Sequence, residues 1–284
     1  MDVKKSAFCI RFRWDVLRVL HDALLCFSPE NGIMVRKTGR RLPESYHFSE
    51  LYMDIEILHL TEGAKRADGL AVIIDVFRAF SMECYLYAMG AGEVRPAGTV
   101  DETFRWREKD PGCILIGERH GRKIEGCDLG NSPSAIDPGM IRGKRVIHTT
   151  SAGTQGIVNA VHADEIITGS FVNAKAISEY IRKKAPEKVS LVCMGKGGLA
   201  KAEEDELCAE YLKALLTDGG MPGIDRRLSE LRLGGGSHFF DPDLQEIYPE
   251  QDYWMCIARD RFSFVLQIVK DQDGYLAVKR ETGI

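Results

Sequence analysis

From residue 53 onward the chain alternates between short apolar runs and longer amphipathic stretches, and each apolar run empties into glycine, charged or hydroxyl residues. The run 70–74 (LAVII) is apolar throughout, as expected of a central strand covered on both faces. Residues 54–60 (DIEILHL) alternate as a first strand does, and 113–116, 146–148 and 188–194 are further short runs of strand character. Two more strands are predicted at 93–96 and 165–168. Helices are predicted over 79–89, where Gly90 and Gly92 stop the pattern, and over 100–108, 154–163, 173–184 and 203–217. The last of these opens on Glu203-Glu204-Asp205-Glu206, an acidic first turn that the helix dipole favours. Three glycines at 234–236 mark looser structure, and 253–258 reads as a strand or a helix end. The chain closes on a predicted hairpin, 264–270 and 275–279, about a Gln272-Asp273-Gly274 turn. Strands alternating with helices predict a mainly parallel sheet sandwiched between helices.

The first 52 residues follow another pattern. They carry nine Lys/Arg and six Asp/Glu, a net +3 against −7 for the remainder. Residues 14–27 (WDVLRVLHDALLCF) predict one amphipathic helix, with Val16, Leu17, Leu20, Leu24 and Phe27 on one side, and 36–50 is polar and unpatterned. The expectation is an α/β domain over 53–284, preceded by an extension over 1–52 that is helical, poorly ordered, or the product of a start placed too early. Asp2, Asp15 and Asp22 do not fit an acid-poor transit peptide.

Composition narrows the function classes. A net charge of −4 provides no general pull toward nucleic acid or an anionic membrane. No apolar run approaches the roughly 20 residues that span a bilayer, and no signal-peptide pattern is present at the start. The expectation is therefore a cytoplasmic protein acting on a small molecule, with self-association into a homo-oligomer left open. Eight cysteines lie scattered without CxxC spacing, and seven histidines without HxxxH or HExxH spacing. Buried free thiols are expected, not disulfides or a zinc site.

Candidate chemistry concentrates between residues 113 and 154, where two strands end in polar clusters. In open α/β sheets ligands sit outside the carboxyl ends of strands. Asp75, after the 70–74 run, is placed to hold a metal or act on a substrate, or to cap the next helix. A second aspartate two residues on, which haloacid-dehalogenase phosphatases need, is replaced by Phe77. Glu118 and Arg119 set a carboxylate beside a guanidinium suited to phosphate or carboxylate, or form a surface ion pair. Asp128, Asn131 and Ser132 lie in a Gly-containing loop that is either a site or a simple turn. Asp75, Glu118 and Asp128 together suit a hard cation such as magnesium. Thr149, Thr150, Ser151, Gly153 and Thr154 stand between a strand and a helix, a ready anion site or an over-provided N-cap. Cys113 and Arg119 have CX5R spacing, but Ile114-Leu115-Ile116 between them belongs to a strand, not a phosphate cradle. Gly195-Lys196-Gly197-Gly198 lacks a nucleotide-loop pattern, though Lys196 could help hold an anion.

These motifs resemble one family. Residues 73–79 (IDVFRA within IIDVFRA) are similar to the IDVLRA opening of the 2-phosphosulfolactate phosphatase family, and 117–119 with 127–133 (CDLGNSP) to its GER and GFDLGNSP signature. Thr149-Thr150 onward resembles its TTNGT, and Glu204-Asp205 with Ala209 its ED…A helix, in register over about 53–264. The resemblance implies a three-layer α/β/α sandwich, mainly parallel with a mixed sheet, and a magnesium-dependent phosphomonoester hydrolase. It implies conversion of (2R)-2-phospho-3-sulfolactate to 3-sulfolactate, and marks Asp75, Arg78, Glu118, Arg119, Asp128, Asn131, Ser132, Thr149, Thr150 and Thr154 as site candidates. Two departures touch the site: Ser151-Ala152-Gly153 replaces the family's Asn-Gly with one residue more, and Phe80 replaces a threonine after Arg78-Ala79. A degenerate binder of a small anionic metabolite, or a different transfer reaction on the same scaffold, is the alternative expectation.

Overall fold

The computed structural model describes residues 53–282, together with two strands of the preceding segment, β1 (Leu24–Ser28) and β2 (Gly32–Arg36). The chain divides into two units, Met1–Glu50 and Leu51–Ile284. In the first, β1 pairs antiparallel with β2, from Leu24 opposite Arg36 to Ser28 opposite Gly32. Residues 24–27 therefore lie in a strand and do not finish the expected helix. Pro29 and the Asn31-Gly32 pair between the strands favour a turn over helical continuation. Residues 14–23 of that helix lie outside the described residues.

The second unit opens on β3 (Asp54–His59) and α1 (Leu60–Arg66), then β4 (Gly69–Ile74), α2 (Ala79–Ala88), β5 (Glu93–Pro96), α3 (Val100–Lys109), β6 (Ile114–Arg119) and β7 (Arg122–Lys123). It continues with α4 (Pro138–Ile141), β8 (Arg145–Thr149), α5 (Gly153–Asn159), β9 (Ala163–Gly169), α6 (Ala174–Lys184), β10 (Lys188–Cys193) and α7 (Glu203–Thr217). Last come α8 (Ile224–Glu230), α9 (Glu250–Ile257), β11 (Phe264–Asp271) and β12 (Gly274–Glu281). The ambiguous stretch at 253–258 is thus a helix up to Ile257.

Ten strands form one mixed sheet in the order β3-β10-β4-β9-β11-β12-β5-β8-β6-β7. The apolar run of β4 is buried on both faces because its alternate side chains serve two cores. Ala71 and Ile73 join Ala64, Leu86 and Ile157 on the side of α1, α2 and α5. Leu70, Val72 and Ile74 join Ile177 and Leu212 on the side of α6 and α7. A third, smaller core sets Trp106 of α3 against Leu115 and Ile147. The architecture is the three-layer sandwich. Six described cysteines (Cys84, Cys113, Cys127, Cys193, Cys208 and Cys256) are buried free thiols. Among the described residues no helix is long and apolar enough to cross a membrane.

The terminal hairpin has a role that its position in the chain does not announce. β11 pairs antiparallel with β9, and β12 antiparallel with β5, so β11 and β12 join two parallel blocks, β3-β10-β4-β9 and β5-β8-β6. Three antiparallel steps make the two blocks run in opposite directions. On a flat sheet their carboxyl ends would lie at opposite edges. Strand twist of roughly 20–25° per step, summed over the five steps from β4 to β8, turns the second block by about 100–125° and removes most of that opposition. The ends meet: the start of α5, which follows β8, lies against Asp75, which follows β4.

That meeting needs close packing of α5 on β4. A Cβ on Gly156 would stand 2.6 Å from Met194 Sδ and closer still to Ile73 Cγ2. In an open helix Gly→Ala stabilises by up to about 1 kcal/mol. Here overpacking wins, and Gly156→Ala is expected to destabilise the fold by about 1–3 kcal/mol. Urea unfolding of the variant measures this directly; a midpoint above wild type would show that α5 does not sit so close.

Candidate active site

Four carboxylates from three elements converge where the two blocks meet. Asp75 follows β4, Glu118 is the penultimate residue of β6, and Glu204 and Asp205 open α7. Burial first, then the charges of Asp205, Glu118 and Glu204, push the Asp75 carboxyl well above its usual range; the Gly153 N–H opposes the shift. Gly153 can come this near because it has no side chain: a Cβ there would stand 3.0 Å from Asp75 Oδ2 and 3.0 Å from the Phe80 ring.

The four acids of the α7 first turn are separated by the fold. The Gly235 N–H donates to Glu203 Oε2 at 2.7 Å. Asp205 Oδ1 accepts from Val76 N at 2.8 Å and its Oδ2 from Gly195 N at 2.7 Å. Glu206 Oε1 lies 2.8 Å from His59 Nδ1. Glu204 is buried, and its Oε2 has no hydrogen-bond partner. Burial pushes the Glu204 carboxyl up to about 7, and burial with the neighbouring Glu204 raises Asp205. A buried carboxylate oxygen without a partner, among like charges, is a donor set that a cation would suit. All donors in this cluster are hard oxygens, which fits magnesium better than zinc. The mixed set of His59, Cys193 and Glu206, with donor atoms within 4.8 Å of one another, is engaged otherwise: Lys201 Nζ lies 3.1 Å from His59 Nε2.

The expected site residues fall into two groups. Asp75, Glu118, Arg119, Thr149, Ser151 and Gly153 come together. Glu118 Oε1 accepts from Ser151 N at 2.6 Å, and its Oε2 from Gly121 N at 2.7 Å and Ser151 Oγ at 3.3 Å. Arg119, half-buried, donates to Thr149 Oγ1 at 3.1 Å and to the Glu118 carbonyl at 2.6 Å. Its remaining donors have no protein partner among the described residues.

The other candidates are committed to the scaffold. Asp128 does not reach the cluster: its Oδ2 accepts from Leu115 N at 2.7 Å, at the opposite end of β6, and pairs with Arg107. Arg78 is buried; it donates to the carbonyls of Ile247 at 2.7 Å and Gly121 at 3.1 Å, and packs over the Tyr248 ring at 4.6 Å. Its φ of +97° is a conformation that a non-glycine residue holds only when its surroundings impose it. Asn131 Oδ1 meets His148 Nε2 at 3.1 Å, and His148 Nδ1 meets Glu83 at 2.9 Å, a fully buried chain. Ser132 Oγ donates to buried Asp252 at 2.9 Å. Thr150 and Thr154 accept from each other's backbone N–H, both at 3.1 Å, a reciprocal pair that braces the turn from β8 into α5.

Sequence reasoning missed Glu83, His148, His238, Tyr248 and Asp252, none of which stands in a local motif. His238, in the turn Ser237–Phe240, is half-buried, and its imidazole is lowered to about 4 by burial first, then by Arg78 and Lys196.

Comparison with known proteins agrees with the motifs. The model of the family described as 2-phosphosulpholactate phosphatase matches residues 55–239. A Thermotoga petrophila protein named "Probable 2-phosphosulfolactate phosphatase" is 38% identical over 145 residues, 51% of this chain and 62% of that protein. The protein of that name from Caldanaerobacter subterraneus is 31% identical over 210 residues, 68% of this chain and 85% of its own length. The Bacillus subtilis protein of that name is 26% identical over 202 residues, 70% of this chain and 87% of its own length. The chain thus covers less than two-thirds of the Thermotoga petrophila relative.

Glu204 makes stability pH-dependent when no cation is bound. Below its ordinary value of 4.5 the group is protonated in folded and unfolded chains alike. Between 4.5 and about 7 the unfolded chain releases the proton while the folded chain keeps it. Stability is therefore fully present below 4.5 and lost as pH rises to about 7, on the order of 3 kcal/mol in all. In chelator, Glu204→Gln is expected to flatten this fall and to be the more stable protein at pH 8. Urea unfolding across that range is the check, and an unchanged slope would show that Glu204 ionises freely in the fold.

Proposed function

The chain belongs to the 2-phosphosulpholactate phosphatase family, and from that premise we propose that it is a magnesium-dependent phosphomonoester hydrolase of a small acidic metabolite, with 2-phospho-3-sulfolactate as substrate and 3-sulfolactate as product. The observation that carries this is the convergence of Asp75, Glu118, Glu204 and Asp205, with one buried oxygen of Glu204 unpaired. Four carboxylates so close repel a phosphate unless a cation lies between. Asp75 and Glu204 would hold magnesium beside Glu118; Glu118 and Asp205, each with both oxygens bonded to backbone N–H groups, hold the loops in place. When bound, magnesium polarises the phosphoryl group and lowers the barrier to attack by water.

The chain's own groups do the rest. Arg119 is anchored at one side by Thr149 and turns its free donors to the phosphoryl oxygens, where charge develops. Glu118 fixes Ser151 and the turn at Gly121, so the mouth of the site keeps its shape before substrate arrives. Arg78, in contrast to its expected role on phosphate, braces that same turn through the Gly121 carbonyl. The one-residue-longer Ser151-Ala152-Gly153 loop is accommodated, because Ser151 bonds Glu118 and Gly153 closes on Asp75.

Phosphate release from phosphosulfolactate and other phosphorylated hydroxy acids, with magnesium and with chelator, tests the proposal. Metal-dependent release is expected. Asp75→Asn should cut turnover at least about a hundredfold while the chain still folds. Wild-type turnover in that variant would remove Asp75 from the reaction. If nothing is released but the same compounds raise the melting temperature, the protein is a binder and the hydrolase proposal fails.

A further inference from the structure

The proposed reaction leaves unused a buried chain of three polar side chains: Glu83 of α2, His148 of β8 and Asn131 of the loop between β7 and α4. Glu83 and His148 have no exposed surface, and Asn131 keeps 5% of its own. The His148 ring meets Glu83 Oε1 at 2.9 Å through Nδ1 and Asn131 Oδ1 at 3.1 Å through Nε2. Glu83 Oε2 is enclosed and unpaired, and no backbone N–H among the described residues bonds to this carboxylate. A buried carboxylate so placed needs a counter-charge at hand. Among the described residues His148 is its ion-pair partner. An imidazole that faces a carboxylate on one side and an amide oxygen on the other satisfies both when each nitrogen carries a proton.

Asn131 stands at the carboxyl ends of β6 and β8. Ile116 of β6 pairs with His148 on one side and is bridged to Leu129 on the other. Glu118 follows Ile116 by two residues and so shares its face of the sheet, the face on which His148 meets Glu83 of α2. Asn131 follows Leu129 by two residues and reaches His148 on that same face. The loop beyond it is tied down: Ser132 Oγ, Ser134 N and Ser134 Oγ donate to Asp252 Oδ1 at 2.9, 3.0 and 2.7 Å. Asn131 Nδ2 has no partner among the described residues and, unlike Glu83 Oε2, is not enclosed. An amide has nearly the same shape either way round, so the partner of its oxygen decides which end is turned outward. With Oδ1 held by His148, that end is the nitrogen.

We infer that Glu83 and His148 are positioning residues: as a buried ion pair they fix the Asn131 amide so that its nitrogen is presented to the bound anion as a hydrogen-bond donor. The identity of that anion rests on the phosphatase reading; the orientation of the amide does not. A neutral ring that donated from Nδ1 to Glu83 would leave Nε2 an acceptor. It would draw the amide nitrogen inward and turn Oδ1 outward, where it repels an anion. The proton count on one enclosed ring thus decides whether the strand ends show a donor or an acceptor at this point. His148 also precedes Thr149, which anchors Arg119, so one strand end sets both donors.

Nitrogen-15 NMR of the full chain tests the orientation directly. Two protonated ring nitrogens on His148 near neutral pH are expected, and one bare nitrogen overturns the inference. Titration with inorganic phosphate in the presence of magnesium is expected to move the Asn131 side-chain amide signals in the wild type and to leave them in place in Glu83→Gln, which removes the counter-charge. This readout holds even if no ester is hydrolysed and the phosphatase reading falls. Signals that stay still in the wild type, or move equally in the variant, overturn the positioning role. In an active enzyme, Glu83→Gln and Asn131→Asp are each expected to lower kcat/KM for phosphosulfolactate by about ten- to a hundredfold. Asn131→Asp keeps the acceptor for His148 and loses only the outward donor, so it decides the point where Glu83→Gln does not fold. Unchanged kcat/KM in Asn131→Asp overturns the proposal.

Discussion

The carboxylate of Asp205 is the contact on which the site depends. It accepts from Val76 N at the end of one central strand and from Gly195 N at the end of its neighbour. One buried side chain thus joins α7 to β4 and β10 and sets the exits of both strands. Asp75 stands one residue before Val76 and Lys196 one residue after Gly195, so each inherits its position from this clamp. Burying a carboxylate beside Glu204 and Asp75 is unfavourable, as the raised proton affinity of all three records. The two backbone N–H groups offset part of that cost, and a cation among the remaining oxygens offsets more.

The second constraint is topological. Two parallel blocks of opposite direction cannot share a site at their carboxyl ends unless the sheet between them turns. The C-terminal hairpin provides those intervening strands, and twist provides the turn. Residues 264–281 therefore shape a site whose acidic residues all lie between 75 and 205. Gly153 and Gly156 complete the approach, because any side chain at either would hold α5 away from Asp75 and β4.

Much of the fold was legible in the sequence. The strands at 70–74 and 188–193 announced themselves as unbroken apolar runs because both of their faces are buried. The helix at 203–217 was bounded correctly by its acidic start and apolar period. The helix expected over 14–27 was not, since residues 24–27 pair as a strand with residues 33–36. Motif residues were legible as a group and not in their roles. Asp128 and Asn131 lie in the long DLGNSP motif, yet one faces Arg107 and the other His148.

Sequence by itself determined the layer architecture, the family and the polar stretches in which chemistry is concentrated. Each of these is written in local order: hydrophobic period, turn residues and contiguous motifs. Only the tertiary structure decided which acids meet. Glu203, Glu204, Asp205 and Glu206 are equivalent as a run, but successive helical residues point about 100° apart. Each therefore met a different environment: the Gly235 backbone, a buried position with no hydrogen-bond partner for one oxygen, two strand ends and His59. The aromatic cluster around His238 forms for the same reason. The rings of Phe77 and Tyr248 beside it, and the Arg78 guanidinium over Tyr248, come from separate parts of the chain, and only folding brings them together.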